Sequence, residues 1–221
     1  MRDMRSFWPC VWRTHSTRLR ALRAITPALR KGIGVAMCSA PGKMANPFFT
    51  LGHSVRPLDV FVGLLKNADV RLVVDVRTIP RSRTNPQYNG DTLPSSLSGF
   101  QIAYEHIAEL GGRRGRQPDV PVSTNAFWQN ESFHNYADYA IGEDFRLALG
   151  RLRQLGHSER CAIMCAETLW WQCHRRIISD YLIAAGETVF HILGPDHVAQ
   201  AFMTPAAKLG ADGVLTYPIE V

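Results

Sequence analysis

The sequence lacks any uninterrupted apolar stretch of about 18 residues, the length at which a run becomes a candidate membrane-spanning helix, although apolar residues make up 46% of its composition. It also lacks internal repeats and, beyond its N-terminal segment, low-complexity tracts. These absences argue against helical membrane spans and repeat architectures. A chain of 221 residues can bury a full core in one domain of ordinary size. We expect a cytoplasmic protein without a membrane partner.

Acidic residues are nearly absent from the first 49 positions, which hold nine Lys or Arg but only one acid, Asp3. This segment therefore carries a charge of +8, and the 16 basic and 18 acidic residues that follow it carry −2. The net charge of +6 for the whole chain thus belongs to the N-terminal segment. Charge does not support nucleic-acid binding by the rest of the chain, although nucleic acid stays an alternative ligand.

The basic N-terminal segment has three interpretations: a basic arm, an Arg-rich organelle transit peptide, or translated upstream sequence with the true start at Met37 or Met44. We favour the last of these. We therefore predict that residues 1–46 are a basic extension that is disordered or created by a misassigned start. Residues 47–221 are predicted to form a single α/β domain.

Cysteines are few and uneven, with five in the chain. Three of them, Cys161, Cys165 and Cys173, lie close together in the sequence. An even, dispersed set is typical of small secreted proteins stabilised by disulfides, and this set is neither. We expect reduced thiols.

Short β-branched runs alternate with helical patterns along the remaining chain, which is typical of a sheet built from βαβ units. The apolar runs predict strands over residues 48–54, 71–77, 101–107, 160–167 and 188–193, with a small one in 213–219. Apolar spacing predicts helices over residues 57–68, 93–100, 134–155 and 173–186. The predicted fold is α/β and Rossmann-like, with a mostly parallel sheet and helices on both faces.

Polar and ionisable side chains follow the predicted strand ends. Ligands of open α/β sheets bind outside the carboxyl ends of the strands, and guanidinium groups bind phosphate or carboxylate through paired hydrogen bonds. We therefore predict a small anionic or nucleotide-like ligand, with Gly111 and Gly112 as hinges that bring an arginine to it. Capping and loop roles are the alternatives for single residues. The predicted substrate-binding residues are His53, Ser54, Asp75, Arg77, Arg83, Asn85, Tyr88, Arg113 and Arg175.

The stretch CAETLWWQCHRR, residues 165–176, concentrates reactive groups. A thiol near a helix start and beside arginines has a lowered pKa and becomes nucleophilic. The predicted catalytic residues are Cys165, Glu167, Cys173 and His174. Cys165 has the alternative of a small buried apolar side chain, and Cys161 is predicted to be inert core.

A metal site has weaker support in this stretch. Two cysteines and a histidine are ligand types, but C-x7-C-H matches no common zinc spacing, and we assign no metal ligand. The C-x5-R loop of cysteine phosphatases and sulfurtransferases is absent, because Trp171 stands where that arginine would follow Cys165.

Several motifs resemble a known family in order and spacing: TLGHS, VVDVRTIPRSRTNPQYN, YEHIAELGGRR, FHNYADYA and MCAETLWWQCHRRIISDYL followed by VFHIL. The family is the domain of unknown function 488 family of bacterial proteins, and the resemblance runs from about Thr50 to Pro218. It implies a compact, Rossmann-like domain in the cytoplasm and singles out the same site residues. It implies no reaction.

Three functions remain open at this point. The first is an enzyme for a phosphate-bearing or nucleotide-like substrate, with a Cys/Glu/His/Arg site at the C-terminal edge of the sheet. The second is a non-catalytic module that binds a nucleotide or nucleic acid. The third is a Cys/His metal-binding protein. The sequence indicates no particular cofactor and no oligomeric state.

Overall fold

The computed structural model describes residues 46–219. The prediction for the N-terminal extension therefore falls, apart from Asn46, outside the described residues. The described part is an α/β fold with a six-stranded, mostly parallel sheet, and the predicted Rossmann-like class is confirmed.

The main sheet has the strand order β3-β2-β4-β1-β5-β6. Two further strands, β7 and β8, pair with each other in a small antiparallel sheet. The strands are β1 (Phe48–Gly52), β2 (Leu72–Asp75), β3 (Ala103–His106), β4 (Cys161–Cys165), β5 (Val189–Gly194), β6 (His197–Gln200), β7 (Lys208–Leu209) and β8 (Leu215–Thr216).

The helices cover both faces of the main sheet. They are α1 (Leu58–Asn67), α2 (Leu93–Ser98), α3 (Glu131–Ala140), α4 (Glu143–Ser158) and α5 (Arg175–Ala184). Helices α1 and α2 pack on one face through a cluster that includes Phe61 and Leu97. Helices α3, α4 and α5 pack on the other through Tyr136, Phe145 and Ile177. Buried apolar area on both faces is what a parallel sheet requires.

The antiparallel edge strand β6 was not predicted. Its sequence, HVAQ, is short and largely exposed, so it lacks the apolar run that marks the buried strands. The strand forms because a tight turn after Gly194 folds the chain back onto β5, where Ile192 lies opposite Val198. Strand prediction from burial cannot detect such an edge strand.

The sheet has a crevice where its connections diverge. The chain leaves β1 towards β2 on one side and leaves β4 towards β5 on the other, although β1 and β4 are neighbours. Ligands of open α/β folds bind at such a switch point, outside the carboxyl ends of the strands. No helix in the described part of the chain is long and apolar enough to cross a membrane.

Candidate functional site

A cleft of about 460 Å³ opens at the carboxyl ends of β1, β2 and β4. Its walls come from four loops that are distant in the sequence. The cleft is lined by His53, Ser54, Val55, Arg77, Thr78, Ile79, Arg81, Ser82, Thr84, Asn85, Gly112, Arg113, Cys165, Ala166, Glu167 and His174. The polar residues that follow the strands therefore converge on one edge of the sheet, as predicted.

Gly52 allows the two central loops to meet. A Cβ atom at this position would lie 1.8 Å from the backbone oxygen of Glu167, so only glycine permits the approach. The loops are then joined by hydrogen bonds from the N–H of His53 to the oxygen of Cys165 (2.9 Å) and from the N–H of Ser54 to that of Ala166 (3.0 Å). This pairing sets Cys165 beside the loop that follows β1.

A buried ion pair forms the support under the cleft. Asp75 is fully buried, and Arg77 donates to its carboxylate through Nε at 2.9 and 3.1 Å. The Tyr104 hydroxyl donates to the same carboxylate at 2.8 Å. Arg77 also donates to the backbone oxygen of Tyr88 at 2.6 Å. Asp75 therefore orients Arg77 and does not reach the cleft itself.

His53 is held in its neutral form. Arginine can only donate, so the 3.2 Å contact between Arg77 Nη1 and His53 Nε2 makes Nε2 an acceptor. The proton then lies on Nδ1, which donates to the oxygen of Ser54 at 2.8 Å. Burial, with the nearby positive charge of Arg77, lowers the pKa of His53 from 6.5 to about 4. The ring stacks on Tyr88 with centroids 4.1 Å apart.

Two cysteines meet at the centre of the site. The Sγ atoms of Cys165 and Cys173 are 3.1 Å apart, and both cysteines are free thiols. Cys165 is 4% exposed and belongs to the cleft lining, whereas Cys173 is 2% exposed and does not. The backbone N–H of Glu167 donates to Cys165 Sγ at 3.4 Å, and Arg175 Nε donates to Cys173 Sγ at 3.4 Å.

The surroundings shift the pKa values of the two thiols in opposite directions. The hydrogen bond to Cys173, together with burial, raises the pKa of Cys165. Burial opposes ionisation of Cys173, but the hydrogen bond from Cys165 and the charges of His174 and Arg175 outweigh burial and lower the pKa of Cys173. Within the pair, negative charge is therefore favoured on Cys173, whose sulfur accepts a hydrogen bond from the guanidinium of Arg175.

His174 faces the thiol pair through one ring nitrogen. Its Nε2 lies 3.1 Å from the oxygen of Val76 and so carries a proton, while Nδ1 lies 3.5 Å from Cys173 Sγ. A Cβ on Gly112 would lie 2.4 Å from that Nδ1, and one on Gly111 would lie 2.3 Å from Thr78 Oγ1. The two glycines thus permit close approach, and their predicted hinge role stays a prediction.

Arg175 fixes the loop between β4 and α5 from inside the fold. The helix was predicted to begin at Cys173, but α5 begins at Arg175 because Cys173 is extended (φ −129°) after a 3-10 turn. Arg175 is 1% exposed and donates to the oxygen of Glu167 at 2.6 Å and to Thr50 Oγ1 at 3.2 Å. All of these contacts are inside the protein. Arg175 was predicted to bind the substrate, but it does not line the cleft and supports the loop from within.

The cleft rim is basic and partly apolar. Within residues 46–219, the guanidinium groups of Arg81 and Arg113 make no hydrogen bond or ion pair. Glu167 is the only acid among the described residues that line the cleft. Two apolar side chains on the lips are largely exposed, Val55 at 76% and Ile79 at 56%. Such a rim suits an anion that also has an apolar or planar part.

The predicted residues divide into three groups by position. His53, Ser54, Arg77, Asn85, Arg113, Cys165, Glu167 and His174 line the cleft. Asp75, Tyr88, Cys173 and Arg175 lie buried beneath it. Arg83 is exposed and lies outside the lining, although Arg81, two positions earlier, takes part in it.

Some residues of the site were not predicted. Gly52 permits the close approach of two loops, and Thr78 lines the cleft, but composition reveals neither role. Both stand beside predicted residues in the motifs TLGHS and DVRT, and that position is the signal that could have found them.

Comparison with known proteins gives one match. A family model described as "Domain of unknown function DUF488" matches residues 57–182, which is more than half of the chain. No curated protein and no solved structure matches the chain.

Proposed function

Since the chain belongs to the DUF488 family of domains of unknown function, a membership that assigns no reaction, we propose a function from the site itself. The protein is an enzyme that acts on a phosphate-bearing or nucleotide-like substrate, and Cys165 is its nucleophile. The observation that carries this proposal is the 3.1 Å contact between Cys165, which lines the cleft, and the buried thiol of Cys173, which accepts a hydrogen bond from Arg175.

Cys173 supplies the base that Cys165 needs. When Cys165 attacks an electrophilic atom of the substrate, its proton passes to Cys173, and the bond to the leaving group breaks. His174 lies beside this base, with its Nδ1 3.5 Å from Cys173 Sγ and its Nε2–H held by the oxygen of Val76. A nucleophile, a base and an oriented third group are the arrangement that activates thiols in enzymes.

The rim supports an anionic substrate. Arg81 and Arg113 line the same cleft as Cys165, and each guanidinium group can donate two hydrogen bonds to a phosphate. Val55 and Ile79 offer apolar contact to the rest of the substrate, which favours a nucleotide-like molecule over inorganic phosphate. Glu167, at the same rim, is a candidate acid for the leaving group.

The test combines ligand binding with turnover. We expect mononucleotides to raise the thermal unfolding temperature saturably, and Arg113→Ala to weaken their binding by about tenfold. Arg71→Ala is the matched control, because Arg71 precedes β2 at the opposite edge and pairs with Asp69. Turnover of a bound nucleotide should disappear in Cys165→Ser while binding remains.

Two outcomes would contradict the enzyme. Saturable binding without turnover of any tested nucleotide would favour the non-catalytic binding module. Absence of any stabilisation by phosphate or nucleotides would remove the anionic substrate class.

Weak nucleic-acid binding that vanishes when residues 1–46 are deleted would belong to the basic extension and not to the cleft.

A metal centre is the second candidate, because Cys165, Cys173 and His174 place their ligand atoms within 4.8 Å of one another. The Nε2–H of His174 also donates to a backbone oxygen, as metal-binding histidines do. Three ligands with a position open to the cleft would suit a catalytic zinc. However, Arg175 already neutralises the thiol pair, so a divalent ion would bring surplus buried charge. One zinc per purified chain, lost in Cys173→Ala, would replace the thiol enzyme.

A further inference from the structure

The two thiols of the site lie within reach of each other. Cys165 belongs to the cleft lining, and its sulfur is 3.1 Å from that of Cys173, which does not line the cleft. A disulfide bond is about 2.05 Å long, so a movement of about 1 Å by one side chain would join the two sulfurs. Any adduct that forms on the Cys165 sulfur therefore lies within reach of the Cys173 thiol.

We propose that Cys165 and Cys173 are a redox couple, which a small hydroperoxide entering the cleft oxidises to a disulfide. The site thereby has a second activity, the two-electron reduction of a hydroperoxide. The disulfide also stops the first activity, because it removes the nucleophile. This inference rests on the proposed function only for the presence of a reactive thiol in the cleft.

The reaction begins when the shared proton moves from Cys165 to Cys173, which leaves a thiolate on the sulfur that faces the cleft. That thiolate attacks the terminal oxygen of the hydroperoxide. An S–O bond forms, the O–O bond breaks, and the departing alkoxide takes a proton from water. Cys165 is then a sulfenic acid.

The second step closes the couple. The Cys173 thiol attacks the sulfur of the sulfenic acid, so that an S–S bond forms and the S–O bond breaks. The hydroxyl group leaves as water with the Cys173 proton. Two electrons have passed from the thiols to the hydroperoxide, and an external low-molecular-weight thiol returns them by exchange.

Arg175 makes the disulfide easy to reduce. Its guanidinium is 1% exposed and donates to Cys173 Sγ at 3.4 Å. The reduced pair can place a thiolate on Cys173 beside this buried cation, whereas the disulfide cannot. Surroundings that stabilise a thiolate favour the dithiol and give a strongly oxidising disulfide. The couple is therefore reversible, and a monothiol is sufficient to reopen it.

The test is disulfide mapping in the full chain with Cys10→Ser and Cys38→Ser, which leaves the three cysteines of the described region. Folded protein is treated with a stoichiometric amount of hydrogen peroxide, alkylated and digested without reductant. We expect a Cys165–Cys173 cross-linked peptide that glutathione removes. Cys161→Ala is the matched control and should keep the cross-link, because burial raises the pKa of Cys161 to about 12.

The variant Cys173→Ser should stop at the sulfenic acid of Cys165, which dimedone traps. The proposal is overturned if peroxide leaves both thiols unmodified in the folded protein, or carries Cys165 to the sulfinic acid without a cross-link. Bound zinc that must be chelated before oxidation overturns it in favour of the metal centre. A cross-link without anion-dependent turnover supports the couple and removes the proposed enzyme, and turnover without a cross-link does the reverse.

Discussion

Two buried histidines make the protein sensitive to mild acid. Burial lowers the pKa of His53 and of His191 from 6.5 to about 4. Between these values the unfolded chain binds protons on both rings and the folded chain does not, so the free energy of unfolding falls as the pH drops. We expect a loss of about 2 kcal/mol per histidine between pH 6.5 and pH 4, measured by urea denaturation.

His191→Gln should reduce this loss by about half, because one of the two buried rings is gone. His191 accepts or donates a 2.7 Å hydrogen bond with Thr50 and stacks on Trp170, so this variant is compared only by its pH slope. His197→Gln, at an exposed position on β6, is the control and should keep the full slope. Equal slopes in all three proteins would contradict the neutral state of His191.

Residues that line the cleft could be predicted from the sequence, whereas the depth of each predicted residue could not. Cys165 and His174 were predicted because thiol, imidazole and guanidinium groups cluster in one motif. Asp75 and Tyr88 occur in equally polar motifs but are fully buried, since one carries the ion pair under the cleft and the other stacks on a histidine. Exposure depends on packing partners from other strands, which no local pattern contains.

The strand–loop junction at Gly52 is the element on which the site geometry depends. A methyl group there would collide with the backbone of Glu167, so Gly52→Ala should lower the free energy of unfolding by about 3 kcal/mol. The matched control is Gly63→Ala in α1, where an added Cβ meets nothing within 4 Å. That variant should be neutral or stabilise by up to about 1 kcal/mol. Urea denaturation of the two variants measures both effects, and equal stabilities would disprove the close contact.

Elements were predictable where burial marks them. The apolar runs located β1, β2, β4 and β5, and Gly186, with φ +84°, ends α5 as its position predicts. The predictions for β1, β2 and β4 run two residues past the observed carboxyl ends, whereas β5 runs one residue beyond its predicted end. The edge strand β6 and the late start of α5 depend on turns that the chain adopts only against its neighbours.

At the scale of the whole molecule, strand order creates the cleft. The alternation of strands and helices predicts a parallel sheet with one polar edge, but it does not say that β1 and β4 become neighbours. Because β1 and β4 are neighbours, the loop that follows β1 lies against Cys165, and the crevice opens beside this contact. The region beyond residue 49 carries a net charge of −2. The basic groups of the cleft are therefore a local feature that the net charge of the chain does not reveal.

The proposed site combines the thiol of Cys165, which Cys173 activates, with a basic cleft rim that attracts anions. The most direct measurement compares the alkylation rates of Cys165 by anionic iodoacetate and neutral iodoacetamide at pH 7, each normalised to the unfolded chain, in the background without Cys10 and Cys38. We predict that iodoacetate is favoured by about tenfold and that inorganic phosphate protects Cys165. A thiol that reacts only after unfolding, or that favours iodoacetamide regardless of phosphate, would contradict the account.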